Sequence, residues 1–399
     1  MSAETVRNVP QPSTFFHNLQ RVLRQNIREY GMFIALFVIM LIFAVTTNGI
    51  FISARNLSNL LNQTGYIAVL AVGMTLIIVI RQIDLSVGFL AGFLGAVAAI
   101  ALSSWGLSVY LVIPMVLALG ILAGLITALP VARLGIPSFV ASLAGWLIYR
   151  GLLQQVTEGT GTIIISDETF NALGNGFIPD FPGFGFLEGI HKLTLLLGVA
   201  AIALYIFSSL STRRKQQEYR FEVMPADIFT LQLVFVSLLI ALVTWILANY
   251  QGLSWTVVIM LVVVGIYHFV TTRTVLGRHI YAVGGNPDAA ELSGVSVRRI
   301  IYIVFGSMGL LSALSGILFA ARLTSASTTA GTLFELDAIA AAYVGGVSAA
   351  GGVGRVTGSI IGALVMTSLI NGMNLMGVGI SYQYIVRGVV LAAAVIFDA

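Results

Sequence analysis

Two short acidic stretches stand out in an otherwise apolar chain, and they are the residues best placed to carry chemistry. IDLSVG (83–88) and FELDA (334–338) each precede a segment of small residues. A carboxylate inside a bilayer costs about 2.5–3.5 kcal/mol at mid-depth on insertion scales, so it is a functional candidate by default. Such a group could line a polar pathway, act as a gate or couple transport to an ion. It could equally cap a helix or pair with an arginine such as Arg81. We call these stretches the first and second acidic stations.

The candidates for a pathway or gate combine these stations with one polar-aromatic segment. Ser138 and Phe139 begin that segment, which also holds Trp146 and Tyr149. Aromatic residues are equally normal at the membrane surface, and the acids are equally suited to a structural role. The six pathway candidates are Asp84, Ser86, Ser138, Phe139, Phe334 and Glu335.

A third polar stretch, GRHIYAVGGNPDAAELSGV (277–295), predicts a short surface helix near 287–293. Asn286 suits an N-cap, Pro287 the first helical position and Asp288 the positive helix end, while Gly294 suits the stop. A helix of two turns is marginal in water by itself. The stretch is therefore either a well-capped loop or an element that docks on a partner, with Asp288 and Glu291 on one face.

Missing motifs exclude several functions. The sequence has no GxxxxGK[ST] motif for ATP phosphates, no GxSxG, no HExxH and no cysteine. Its four histidines are scattered without ligand spacing, so we expect no metal and no cofactor. The net charge of +4 reflects arginines at the ends of apolar runs, which are typical membrane anchors and give no reason to expect nucleic acid. No converging residue set indicates an enzyme.

The elements that must position these residues are membrane helices. Of 399 residues, 58% are hydrophobic and 9% charged, whereas soluble domains carry about 25% charged residues. The apolar runs predict an all-α polytopic membrane protein with about ten spans, within a range of nine to twelve. The stretch 336–350 is too short and glycine-rich for a full span, so we expect a re-entrant or broken helix there.

The charge distribution predicts an orientation and one membrane domain. Arginines just before the first apolar run place an N-terminal segment, 1–30, in the cytoplasm. The membrane domain is expected over 31–399. Its expected external loop, 157–189, contains acidic residues but no Lys or Arg. Cytoplasmic loops are expected at 211–227 and 273–299.

Several blocks together resemble one family. T-x-x-GR-x-IYAVGGNP-x-AA-x-LSG is similar to the cytoplasmic coupling loop of permease subunits from bacterial ATP-binding-cassette sugar importers of the ribose, xylose and galactoside group. Further blocks resemble that group in the same order: SARNLSNLL (53–61), QIDLSVG (82–88), GIPSFVASLAG (135–145), FELDAIAAAYVGG (334–346) and SAAGGVGR (348–355). The wording of DLSVGFLAGFLGA and RRKQQEYRFEVMPADIF is most similar to the xylose and multiple-monosaccharide permeases.

The resemblance implies a mechanism and partners. Such a permease lies in the bacterial inner membrane with a second permease subunit, expected to be a second copy. A separate cytoplasmic ATPase hydrolyses ATP, and an extracytoplasmic binding protein delivers the sugar. The short helix would then dock on the ATPase through Gly285, Asn286, Pro287, Asp288, Glu291 and Gly294. The alternative is an ion-coupled secondary sugar carrier that uses Asp84 or Glu335 as its coupling carboxylate.

Overall fold

The computed structural model describes residues 27–159, 161–182, 188–221 and 223–398, and these are mostly helical. Most of the predicted N-terminal segment 1–30 lies outside the described residues. The helices in chain order are α1 (Ile27–Thr46), α2 (Ala54–Val79), α3 (Val87–Ser103), α4 (Val109–Leu134), α5 (Ser138–Thr157), α6 (Glu168–Asn175), α7 (Lys192–Glu218), α8 (Ala226–Ala248), α9 (Trp255–Arg273), α10 (Val275–Gly285), α11 (Pro287–Leu292), α12 (Val297–Leu323), α13 (Phe334–Val344), α14 (Val356–Leu375) and α15 (Ile380–Asp398). Two short strands, β1 (Thr162–Ile164) and β2 (Ser325–Ser327), pair antiparallel with Ile163 opposite Ala326.

The helix lengths fit a polytopic membrane protein. Among the described residues, seven helices are long and apolar enough to cross a bilayer: α2, α4, α7, α8, α9, α12 and α14. Shorter apolar helices lie in α1, α3 and α15. The all-α membrane fold is therefore as predicted, while the exact number of spans stays a prediction.

Two boundaries differ from the sequence-based expectation. The short helix expected near 336–350 is α13, which begins two residues earlier and ends at Val344. The predicted cytoplasmic loop 211–227 is shorter than expected because α7 continues to Glu218. The residues RRKQQE extend it, and Arg, Lys, Gln and Glu all favour helix even where the side chains are in water.

The described residues form two compact units. In one unit, which contains residues 179–252, the helices α7 and α8 pack side by side. The carboxylate of Asp180 accepts hydrogen bonds from the N–H groups of Lys192 and Leu193 (3.1 and 2.9 Å) at the start of α7. Partial burial of Asp180 opposes its charge, but these bonds and nearby His191 hold its pKa down at about 2. A carboxylate at a helix N-terminus is favoured because the helix dipole is positive there.

The other unit contains residues 32–178 and 253–399 and is built around α2. This helix packs against α9, α12, α13 and α14, and most of its side chains are buried. Polar pairs hold α2 to α14 along its length, since Asn56 donates to Asn371 (2.9 Å) and Thr64 contacts Thr367 (2.6 Å) through their hydroxyls. Side-chain hydrogen bonds of this kind join helices in membranes, where the hydrophobic effect between helices is absent.

Small residues bring α12 close to α3 and α4. A side chain on Gly120 of α4 would collide with the carbonyl of Gly309, and one on Gly309 would collide with the carbonyl of Gly120. Such contacts between backbones are typical of membrane helix interfaces. With α2 and α12 packed at its centre, this unit supplies a rigid frame for the two acidic stations.

Candidate functional site

The first acidic station is a non-helical segment between α2 and α3. Residues 82–85 have no regular structure, and α3 starts at Val87. Asp84 is 3% exposed, and its Oδ1 accepts hydrogen bonds from the N–H (2.9 Å) and the hydroxyl (2.6 Å) of Ser86. Oδ1 of the carboxylate is therefore bonded by a residue two positions along its own chain, as in an Asx turn.

Helix α5 holds the first station in place. The hydroxyl of Ser138 accepts a hydrogen bond from the N–H of Ile83 (3.0 Å), and the hydroxyl of Ser142 donates to the carbonyl of Ile83 (3.4 Å). Phe139, by contrast, is 52% exposed. The structure thus gives Ser138 a contact with the first station and leaves Phe139 outside it.

The second acidic station starts α13, and its carboxylates take partners from distant helices. Glu335 is 5% exposed, and its Oε1 accepts a hydrogen bond from the indole N–H of Trp146 on α5 (3.0 Å). Its Oε2 is buried without a hydrogen-bond partner among the described residues. Phe334 packs in an aromatic cluster with Tyr66 and Phe319, at ring distances of 5.3 and 4.9 Å.

Asp337 adds an ion pair that the sequence did not reveal. Its Oδ2 lies 3.3 Å from Nη1 of Arg387 on α15, and the two side chains are 5% and 17% exposed. Oδ1 of Asp337 and Nε of Arg387 are buried without a hydrogen-bond partner in the described part of the chain. The ion pair therefore leaves one polar atom of each side chain without a hydrogen bond among the described residues.

The two stations meet at Gly88. A Cβ atom placed on Gly88 would strike the Oε2 atom of Glu335 and the carbonyl of Gly331. The beginnings of α3 and α13 thus lie in direct contact, and both follow non-helical backbone. Non-helical backbone at membrane depth is tolerated only where protein or a water-filled cavity surrounds it.

The predicted short surface helix is α11, and its caps agree with its sequence. The Asn286 side chain accepts a hydrogen bond from the N–H of Ala289 (3.0 Å), Pro287 is the first helical residue, and Gly294 has φ +87°. The helix buries Ala290 and exposes Asp288 and Glu291.

Leu292, at the end of α11, is 91% exposed. Burying a leucine side chain contributes about 1.5–3 kcal/mol, so an exposed one beside two acids favours a partner with an apolar pocket. The prediction from sequence named the acids of this helix and missed the leucine, although ELSG places it next to Glu291.

Arg81 does not pair with Asp84, the acid nearest to it in the sequence. Instead of bonding Asp84, it donates from Nε to the carbonyl of Gly284 (2.7 Å) and from Nη2 to the carbonyl of Gly285. These carbonyls belong to the last turn of α10, where the helix leaves its C=O groups without partners. A cation at a helix C-terminus is also favoured by the helix dipole.

The other partners missed from sequence, Trp146 and Arg387, lie far along the chain from the acids they contact. Their residue types were visible, but nothing in the spacing showed which acid each would meet. Among the described residues, no group of three His, Asp or Glu side chains is placed to hold a metal.

Comparisons with known proteins identify the family. Residues 56–395 match the family described as branched-chain amino acid transport system / permease component. The chain is 41% identical to the xylose transport system permease protein XylH of Haemophilus influenzae, over 94% of this chain and 96% of that protein. It is 38% identical to XylH of Escherichia coli K12 (94% and 92% covered) and 36% identical to the ribose import permease protein RbsC of that strain (93% of each). No solved structure matches the chain significantly.

The chain therefore belongs to this family of transport permeases. The predicted resemblance to permease subunits of the ribose and xylose group of importers is confirmed. As its relatives are permeases, the chain is a transport subunit rather than an enzyme.

Proposed function

We propose that the chain is the membrane permease of an ATP-binding-cassette importer for a monosaccharide, with xylose the first substrate to test. The observation that carries this proposal is the 41% identity to a xylose permease over nearly the full length of both chains. The ribose permease is 36% identical, so a related pentose or hexose is the next choice.

The energy for transport would enter through α11. The sequence contains no P-loop, so ATP must be hydrolysed by another chain. The short helix offers a capped backbone, two exposed acids and the exposed Leu292, which suit a cleft with an apolar floor and a basic rim. We place the ATPase contact at Gly285, Asn286, Pro287, Asp288, Glu291 and Gly294, with Leu292 as its apolar anchor. In this proposal α11 faces the cytoplasm, and the arginines just before the first apolar run are the reason to expect a cytoplasmic N-terminus.

The sugar pathway would involve the acidic stations. Asp84, Ser86, Ser138 and Glu335 lie at or beside the contact between the beginnings of α3 and α13. Oε2 of Glu335 has no hydrogen-bond partner among the residues that the structure describes, so it could accept a hydrogen bond from a sugar hydroxyl or from water in a state that opens this contact. Phe334 would support the station through its aromatic cluster, and Phe139 would face a second permease subunit or the pathway from its exposed position.

The test is reconstitution of this chain in liposomes, with and without an ATPase subunit and a sugar-binding protein from the same organism. We expect uptake of labelled xylose only with all components and ATP, and we expect it to persist when an ionophore collapses the proton gradient. Unlabelled ribose and glucose as competitors would define the substrate class. Uptake by the permease alone that an ionophore abolishes would instead establish the ion-coupled carrier.

The docking role of α11 has its own matched test. Leu292→Ala should weaken association with the ATPase about fivefold or more, since truncating a central apolar anchor costs more than about 1 kcal/mol. Leu134→Ala is the control, because Leu134 is also an exposed leucine (69%) at a helix end. Equal ATPase binding by both variants, measured by co-purification at graded concentrations, would remove Leu292 from the interface.

A further inference from the structure

Arg81 lies where three segments of the protein meet. Its guanidinium donates to the last carbonyls of α10, those of Gly284 and Gly285. A Cβ on Gly351 would strike the Arg81 side chain. The N–H of Gly352 donates to the carbonyl of Val79 at the end of α2 (2.8 Å). We call this meeting of residues 79–81, 284–285 and 351–354 the joint.

Each segment of the joint continues into an element of the proposed mechanism. Gly285 is separated from α11 by Asn286 alone. Arg81 directly precedes residues 82–85, the non-helical segment that carries Asp84. Residues 351–354 follow α13, whose first turn carries Glu335. One small region of backbone therefore connects the surface helix with both acidic stations, which also touch each other at Gly88.

The joint is tightly packed. A Cβ on Gly284 would collide with the carbonyl of Val79, so the ends of α2 and α10 are in backbone contact. The hydroxyl of Tyr281 donates to the carbonyl of Gly354 (2.6 Å). Burial raises the pKa of Tyr281, with Arg355 opposing the shift, so this hydroxyl remains a donor at physiological pH. Close-packed contacts transmit displacement because they cannot deform continuously.

Arg81 itself is held in an unusual conformation. Its φ is +61°, in the left-handed region, although it is not a glycine. Such a backbone is costly for a residue with a side chain and persists where surrounding contacts determine it. The two hydrogen bonds from its side chain to α10 are contacts that hold Arg81 in this conformation. A lysine could not reproduce them, because the planar guanidinium presents several donors in a fixed fork while an ammonium is a single compact group.

We propose that Arg81 is a positioning residue that transmits the displacement of α11 to both acidic stations, so that ATPase motion and opening of the sugar pathway occur together. The inference rests on the proposed function of α11. The guanidinium holds the end of α10 against the beginning of the 82–86 stretch, and residues 351–354 extend the same movement to α13. Loss of this link would leave ATP hydrolysis intact and separate it from sugar movement.

The test uses the complete importer in liposomes and measures xylose uptake per ATP hydrolysed. Arg81→Gln should lower this ratio about tenfold, the factor that loss of one charge-assisted hydrogen bond gives, while basal ATP hydrolysis continues. Arg81→Lys should recover part of the ratio. Arg133→Gln is the control, because Arg133 is also an exposed arginine at the end of a helix; it lies in the last turn of α4, whereas Arg81 lies just beyond α2.

A second pair of variants tests the joint without removing a charge. Gly351→Ala and Gly346→Ala both place a methyl group on a left-handed backbone, with φ +79° and +85°. The Gly351 methyl meets Arg81, whereas the Gly346 methyl meets no atom of the described residues within 4 Å. Uptake per ATP should therefore fall in Gly351→Ala and stay near the wild-type value in the control, Gly346→Ala.

The outcomes separate this inference from the proposed function. If the wild-type importer takes up no xylose or other monosaccharide with ATP, the proposed function fails. If wild type transports and Arg81→Gln keeps the wild-type ratio, the joint does not transmit and the inference is wrong. Equal ratios for Gly351→Ala and Gly346→Ala would overturn it in the same way, and they decide the question if Arg81→Gln does not reach the membrane.

Discussion

The two acidic stations hold their carboxylates in opposite ways. Asp84 takes both of its hydrogen bonds from Ser86, two residues along the chain. Glu335 and Asp337 depend on Trp146 and Arg387, which are 189 and 50 residues away. The first station takes its side-chain hydrogen bonds from its own segment, whereas the second takes them from α5 and α15.

This difference assigns different tasks to the stations. A locally satisfied turn can move as a unit with its surroundings, because its hydrogen bonds travel with it. A station satisfied by other helices changes its electrostatics whenever those helices shift. The second station is thus the better candidate for a site whose contacts differ between transport states. The first is the better candidate for a segment that moves as one body with Arg81.

The largest effect should come from breaking the ion pair of the second station. Arg387→Met leaves the carboxylate of Asp337, which is 5% exposed, buried without its cation. Removing one partner of a buried pair costs about 3–5 kcal/mol, so the free energy of unfolding in detergent should fall by that order. Thermal unfolding of the purified variants measures the effect.

The double variant Arg387→Met/Asp337→Asn is the control for this experiment. It removes both charges together and should recover most of the lost stability, because replacing a whole buried pair is often nearly neutral. A single variant as stable as wild type would show that Asp337 does not need Arg387.

A smaller effect should follow from removing the hydrogen bond between α5 and Glu335. Trp146→Phe keeps an aromatic ring against Phe89, whose ring centre is 4.9 Å away, and leaves Oε1 of Glu335 without its donor. A buried acceptor left unsatisfied costs about 1–3 kcal/mol. Trp105→Phe provides the comparison, since Trp105 is 60% exposed and should change the midpoint of unfolding far less. If the two variants unfold alike, the indole N–H does not stabilise the second station.

The same contrast explains how much could be predicted from the sequence. The apolar runs and the caps of α11 depend on neighbours within a few residues, and the sequence shows them directly. The Asp84–Ser86 turn is equally local but was not predicted. The partners of Glu335 and Asp337 depend on which helices are adjacent, and no local pattern contains that information. Arg81 illustrates the limit, because proximity in sequence suggested Asp84 while packing supplied the carbonyls of α10.

The smallest effect should come from the first station. Asp84→Asn retains an oxygen that can accept both hydrogen bonds from Ser86, and no cation is left without a partner, because no ion pair of Asp84 is found among the described residues. We expect the free energy of unfolding to change by less than about 1 kcal/mol, within the net value of a single hydrogen bond. Ser86→Ala should cost more than Asp84→Asn, since it removes the hydroxyl that donates to Oδ1. If Asp84→Asn instead destabilises the protein as much as Arg387→Met does, the charge of Asp84 itself is required, and the two stations do not differ in the way their contacts indicate.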